Sequence, residues 1–153
     1  MNDIEQRLAA LGIVLPTPAA PVANYVPFTR EGRVVHISGQ LSLDEAGGIK
    51  GTVGSDVDVE QAQAAARLCA INLIAQLRLA CGGDLARVTG VLKLNVFVQA
   101  AADFIDIPKV ANGASDLLVE IFGDEGRHAR SAVGVYRLPL GFAVETDAVF
   151  TID

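Results

Sequence analysis

The 153-residue sequence contains no tryptophan, and only 5% of it is aromatic. Its apolar surface must therefore be covered by aliphatic and alanine side chains or between subunits, which makes self-association an expectation. Cysteine is scarce: Cys69 and Cys81 stand alone. They lie within one apparent helix, too far apart along its axis, at about 1.5 Å rise per residue, to form a bridge. Buried thiols in a reducing compartment are expected. The two histidines, His36 and His128, fall short of the three or four clustered ligands that a metal site needs, so neither metal nor cofactor is expected. No run approaches the roughly eighteen uninterrupted apolar residues of a membrane span. The opening residues also lack the basic flank and apolar run of a secretion signal, which points to the cytoplasm and away from membranes. Basic residues number 12 against 18 acidic, a net charge of −6, which argues against nucleic acid as a partner, because phosphate binding needs a basic footprint. Glycines cluster at Gly47-Gly48, Gly51 and Gly54, but in no phosphate-cradle arrangement, so this stretch reads as loop with a short strand near Ile49.

What is present is an ordinary globular composition, 51% hydrophobic and 20% charged. A chain of this size buries roughly two thirds of its unfolded surface. Ile4, Leu8 and Leu11 at helical spacing, behind a capping Asn2 or Asp3 and ahead of Gly12, predict a short amphipathic helix. Three prolines between Leu15 and Pro21 predict an extended connector. We divide the chain into this helix and connector, residues 1–24, and a single domain, residues 25–153. The domain opens with a hairpin, Tyr25 to Thr29 and Arg33 to Gln40 around Glu31-Gly32. Asp58-Val59-Glu60-Gln61 is a capping box opening a helix to about Ala80, with Ala62, Ala65, Ala66, Cys69, Leu73 and Leu77 on one side. A strand follows from Val88 to Val98. A second helix begins near Asp103 or Asp106, carries Pro108 in its first turn, and stops at Gly123; Asn112-Gly113 inside it suggests a kink. Ser131 to Arg137 and Ala143 to Ile152 read as a final hairpin. The predicted fold is α+β, with two helices on one face of a mixed sheet.

Two charged residues in this last part carry chemical interest. Arg130 opens a strand, where its guanidinium can project from a sheet end as a fork for a carboxylate. Glu145 and Asp147 share one face of the next strand, opposite Val144, Thr146, Ala148 and Phe150. The plainer readings are surface ion pairs, with Arg137 as a partner for Glu145.

The run His128-Ala129-Arg130-Ser131-Ala132-Val133-Gly134-Val135, then Leu138-Pro139 and Val144 to Ala148, resembles the C-terminal signature of the Rid family, the reactive intermediate deaminases also called YjgF-like proteins or L-PSP endoribonucleases. Asn24-Tyr25, Ser38-Gly39-Gln40, the capped Ala-rich helix, and Val96-Phe97-Val98 with Asp103-Phe104 extend the likeness over nearly everything from Tyr25 onward. The resemblance implies a chorismate-mutase-like fold and a homotrimer with clefts that draw residues from two chains. It further implies hydrolysis of 2-imino acids to 2-oxo acids and ammonia. In that scheme Arg130 pairs with the substrate carboxylate of a small metabolite and Glu145 orders the water or takes a proton. Tyr25, Ser38, Gly39, Asn112 and Ala132 line the cleft, and His128 could reach its rim, while His36 reads as structural. The chain departs from the family pattern at Ala132, where a cysteine is usual, and at Gly134, where a glutamate is frequent. With its extra N-terminal helix it resembles a longer, divergent branch. A non-catalytic sensor of carboxylated metabolites and an endoribonuclease are the competing functional readings.

Overall fold

The computed structural model describes residues 2–18, 21 and 23–153; part of the proline-rich connector, residues 19, 20 and 22, lies outside them. Helix α1, Asp3–Ala10, is capped by Asn2, whose side chain accepts from the Glu5 backbone while Glu5 reaches back to the Asn2 N–H. Helix α2, Val59–Ala80, starts on the Asp58/Gln61 capping box that the sequence announces. These reciprocal bonds satisfy backbone donors that a first helical turn otherwise leaves open. Helix α3, Ile107–Phe122, has Asp106 as its N-cap and ends at Gly123, whose φ of +64° suits glycine.

Five strands form one sheet: β1, Phe28–Glu31; β2, Val34–Leu41; β3, Val88–Gln99; β4, Ala129–Val135; and β5, Val144–Ile152. Their order is β1-β2-β5-β3-β4. The first hairpin turns at Gly32-Arg33, one residue later than expected, with Gly32 at φ +60°. Tyr25 and Val26 precede β1 instead of belonging to it, because Pro27 has no N–H to offer a ladder. The expected final hairpin is corrected. Strand β3 lies between β4 and β5, antiparallel to β5 and parallel to β4. A parallel neighbour requires a crossover, and α3 supplies it. Alternating side chains show that a segment is a strand, not which strand lies beside it.

Both long helices cover one face of the sheet. The Ala62, Ala65, Ala66, Cys69, Leu73 and Leu77 stripe of α2 is wholly buried, over Phe150, Ala148, Val144 and Ile37. Each fully buried leucine or phenylalanine contributes about 1.5–3 kcal/mol relative to exposure. Small residues let α2 and α3 approach closely. A Cβ on Gly113 would sit 2.1 Å from the Gln63 carbonyl oxygen, so this glycine marks a helix crossing. The helix runs through it without interruption, and the kink expected at Asn112-Gly113 is absent. Leu8, Ile13 and Leu15 of the N-terminal segment join the same core. Cys69 and Cys81 are free and buried, and burial pushes the Cys69 thiol far up. Among the described residues no helix is long and apolar enough to cross a membrane. Among the described residues no helix covers the other face of the sheet; Ser131, Val133, Lys93, Asn95, Phe97, Glu145, Asp147 and His36 lie along it.

Candidate functional site

Arg130 is the second residue of β4 and pairs with Leu94, which pairs in turn with Ala148. Directly opposed residues share a face, so Arg130 lies on the side that the helices cover. There its Nη1 donates to Asn112 Oδ1 at 2.8 Å and to Ser115 Oγ at 3.1 Å. Asn112 and Ser115 are three apart on α3 and therefore neighbours on one helix face. Ser115 Oγ also lies 2.9 Å from His128 Nε2, and His128 Nδ1 lies 2.6 Å from the Gly126 carbonyl oxygen. Arg130 has no carboxylate partner among the described residues; ion pairs form at Arg87–Asp153, Lys109–Asp106 and Arg127–Asp124. Ala132 follows on the same face of β4, half-buried.

The second group gathers where β2 meets β5. Ile37 pairs with Ala148 and Gln40 with Thr146, so Ser38 and Gly39 together face the single residue Asp147. That is a β-bulge, which bends a strand and re-aims its side chains. Ser38 Oγ donates to the Val26 carbonyl at 2.7 Å, tying the bulge to the segment that carries Tyr25. A Cβ on Gly39 would lie 3.0 Å from Glu145 Oε2; glycine leaves room for the carboxylate. The Glu145 side chain has no ion-pair or hydrogen-bond partner among the described residues, and the pairing with Arg137 does not form. Arg137 instead stacks 4.1 Å over the Tyr136 ring. Burial, with a smaller contribution from Asp147, pushes the Glu145 carboxyl above its ordinary value. Asp147 accepts from Asn95 Nδ2 at 2.8 Å, which orients it across the open face. Tyr25 is 53% exposed. With Gly39 it borders a trough of about 1020 Å³ walled by residues 11–18 and by Arg67, Ile71 and Ala75 of α2.

Residues 5–144 match the family described as "YjgF/chorismate_mutase-like, putative endoribonuclease". The chain belongs to that family. It is 48% identical over 152 residues to Protein TCP17 of Trypanosoma cruzi, covering 98% of this chain and 94% of that protein. The crystal structure of Atu1372 from Agrobacterium tumefaciens, a protein of unknown function, superposes with a TM-score of 0.93 at 47% identity, over 99% of this chain and 93% of the other. RidA from the Antarctic bacterium Psychrobacter sp. PAMC 21119 aligns with a TM-score of 0.57 at 28% identity, over 89% of this chain and 94% of RidA. The chorismate-mutase-like fold expected from the sequence is the fold observed.

Within this YjgF-like chain the seven expected site residues fall into two groups. Arg130, Asn112 and Ala132 stand at the β4–α3 corner. Ser38, Gly39 and Glu145 stand at the β2–β5 bulge, and Tyr25 lies on the segment that Ser38 ties to it. The simple reading of Arg130 and Glu145 as neighbours on consecutive strands is corrected. Glu145 pairs with Phe97, three positions along β3 from Leu94 and on the opposite face. Sequence reasoning also missed Ser115. The signal that reveals it is its i,i+3 spacing from Asn112 on one helix. His36 is exposed on the open face, so it has no structural burial.

Proposed function

We propose that this chain hydrolyses imines or enamines derived from amino acids, in clefts formed between copies of itself in a homotrimer. The observation that carries the reading is the guanidinium of Arg130. Both hydrogens of Nη1 are engaged by neutral acceptors, while Nε and Nη2 have no acceptor among the described residues. A fixed cation with three donors left over is suited to a carboxylate. A carboxyl group without a side-chain partner among the described residues, Glu145, raised in pKa by burial, waits on the other face of the sheet. One chain cannot bring both to a single small molecule, and the Glu145 of a neighbouring copy can complete the Arg130 half-site.

The reaction needs little more. The cation fixes the carboxylate of a 2-imino acid, and water adds to the C=N carbon while Glu145 takes a proton from it. The same carboxyl gives that proton to the imine nitrogen, then takes the hydroxyl proton of the resulting carbinolamine and passes it to the amino group; the C–N bond breaks as the C=O forms, and ammonia leaves a 2-oxo acid behind. A carboxyl whose pKa is raised toward the working pH suits both steps. The net charge of −6 does not favour the ribonuclease alternative.

The test generates 2-aminoacrylate in situ with a serine dehydratase and follows 2-oxo acid release. The wild-type chain is expected to accelerate release and Arg130→Ala to leave the uncatalysed rate. Equal rates for the two proteins rule the proposal out. If 2-oxobutyrate then raises the melting temperature of the wild type but not of Arg130→Ala, the pocket senses carboxylates without turning them over.

A further inference from the structure

The corner around Arg130 contains a chain of hydrogen bonds whose directions are fixed from one end. Gly126 is buried against α3, where a Cβ would come within 2.3 Å of the Leu118 carbonyl oxygen. Its own carbonyl can only accept, so the 2.6 Å contact makes His128 Nδ1 the donor. In neutral imidazole the other nitrogen is then an acceptor. Ser115 Oγ, 2.9 Å from Nε2, must point its single hydrogen at His128. This leaves the serine lone pairs facing Arg130, and Nη1 donates to them at 3.1 Å. The second Nη1 hydrogen goes to Asn112 Oδ1. Without His128, the Ser115 hydroxyl could turn its hydrogen toward the cation and repel it.

We infer that Ser115 and His128 are positioning residues that hold the Arg130 guanidinium by its Nη1 corner and present the Nε–Nη2 edge to the ligand. The carboxylate as ligand rests on the function proposed above. An Nε–Nη2 edge carries two parallel N–H bonds and takes a carboxylate side-on as a bidentate pair. Neither residue touches that edge, and their effect passes through the arginine.

Side-chain ¹⁵N–¹H spectra of Arg130 in the full-length protein, assigned with Arg130→Lys, test the arrangement. In the wild type, rotation about the Nε–Cζ bond is expected to be slow enough to resolve Nη1 from Nη2. Ser115→Ala and His128→Ala are expected to merge the two signals, and Ser115→Thr, which keeps the hydroxyl, to restore them. Merged signals in the wild type, or separate ones in Ser115→Ala, overturn the inference. On titration with 2-oxobutyrate, Nε and Nη2 should shift while Nη1 stays, and Ser115→Ala should bind about tenfold more weakly, with Ser115→Thr recovering most of the loss. A dominant shift at Nη1 overturns the assignment of the edge. Absence of any Arg130-dependent binding in the wild type counts against the carboxylate reading alone, since the rotation experiment judges the positioning chain independently.

Discussion

At the β4–α3 corner, both ring nitrogens of His128, the Ser115 hydroxyl and the Asn112 amide oxygen all have partners, and they converge on Arg130. At the β2–β5 bulge the Glu145 carboxylate has none among the described residues, and it lies half-buried against Gly39, where a Cβ would come within 3.0 Å of Oε2. The first region is organised in advance, while the second is left open. Preorganised groups bind well because little ordering remains to be done on binding. An unpartnered carboxyl is free to exchange protons. Under the function proposed above, the contrast separates a holding group, Arg130, from a reacting group, Glu145, on opposite faces of the sheet.

Removing the holding group should produce the largest effect. Arg130→Ala is expected to lower kcat/KM for an imino acid by about 100-fold or more, because an anionic substrate loses its charged partner. A loss confined to a few-fold would mean that some other cation grips the ligand. Disturbing the open region without touching a polar group is the next step down. Gly39→Ala brings a methyl to 3.0 Å from Glu145 Oε2, and we expect kcat to fall about tenfold with the melting temperature little changed, since misplacement of a catalytic group is costly. An unaltered kcat would separate Glu145 from the chemistry. Asn112→Ala removes one of two acceptors on Nη1. Its cost should appear as a rise in KM of several-fold with kcat maintained, consistent with one hydrogen bond to a charged group.

The smallest effect concerns stability. Burial raises the Glu145 carboxyl above its ordinary value, so the folded chain keeps that proton to higher pH than the unfolded chain does. The contribution of this group to stability is complete at pH below the unfolded value and is lost as pH rises through the folded one. Glu145→Gln cannot ionise, and thermal melts should show it gaining on the wild type at pH 8 but not at pH 4. The same advantage at both values would remove the argument that Glu145 is held in a proton-retaining environment.

The sequence disclosed different layers of this molecule to different degrees. The start of α2 was readable because Asp58 and Gln61 form a capping box within four residues, and the faces of β5 because strand alternation is strict. Gly123 marked the end of α3 for the same local reason. Strand order was hidden, since nothing between Val135 and Val144 states that β3 intervenes. That omission had a functional consequence. Arg130 and Glu145 look adjacent along the chain and are parted by the sheet itself. Family likeness named the candidate residues, whereas the strand pairing divides them into two groups. Ser115 and the orientation of His128 became visible only when α3 was laid against β4, because their meaning lies in bonds between elements distant in the chain.

Arg130→Ala and Glu145→Gln together provide the most direct test that each cleft takes the holding residue from one copy and the reacting residue from another. Each variant alone should be inactive toward 2-aminoacrylate. Co-expressed in equal amounts, randomly assembled trimers should contain clefts with both native residues in roughly a quarter of cases, and activity should return to about that fraction of the wild type. Mixed assemblies that recover no activity while the wild type remains active would place both residues in one chain's site and contradict the account.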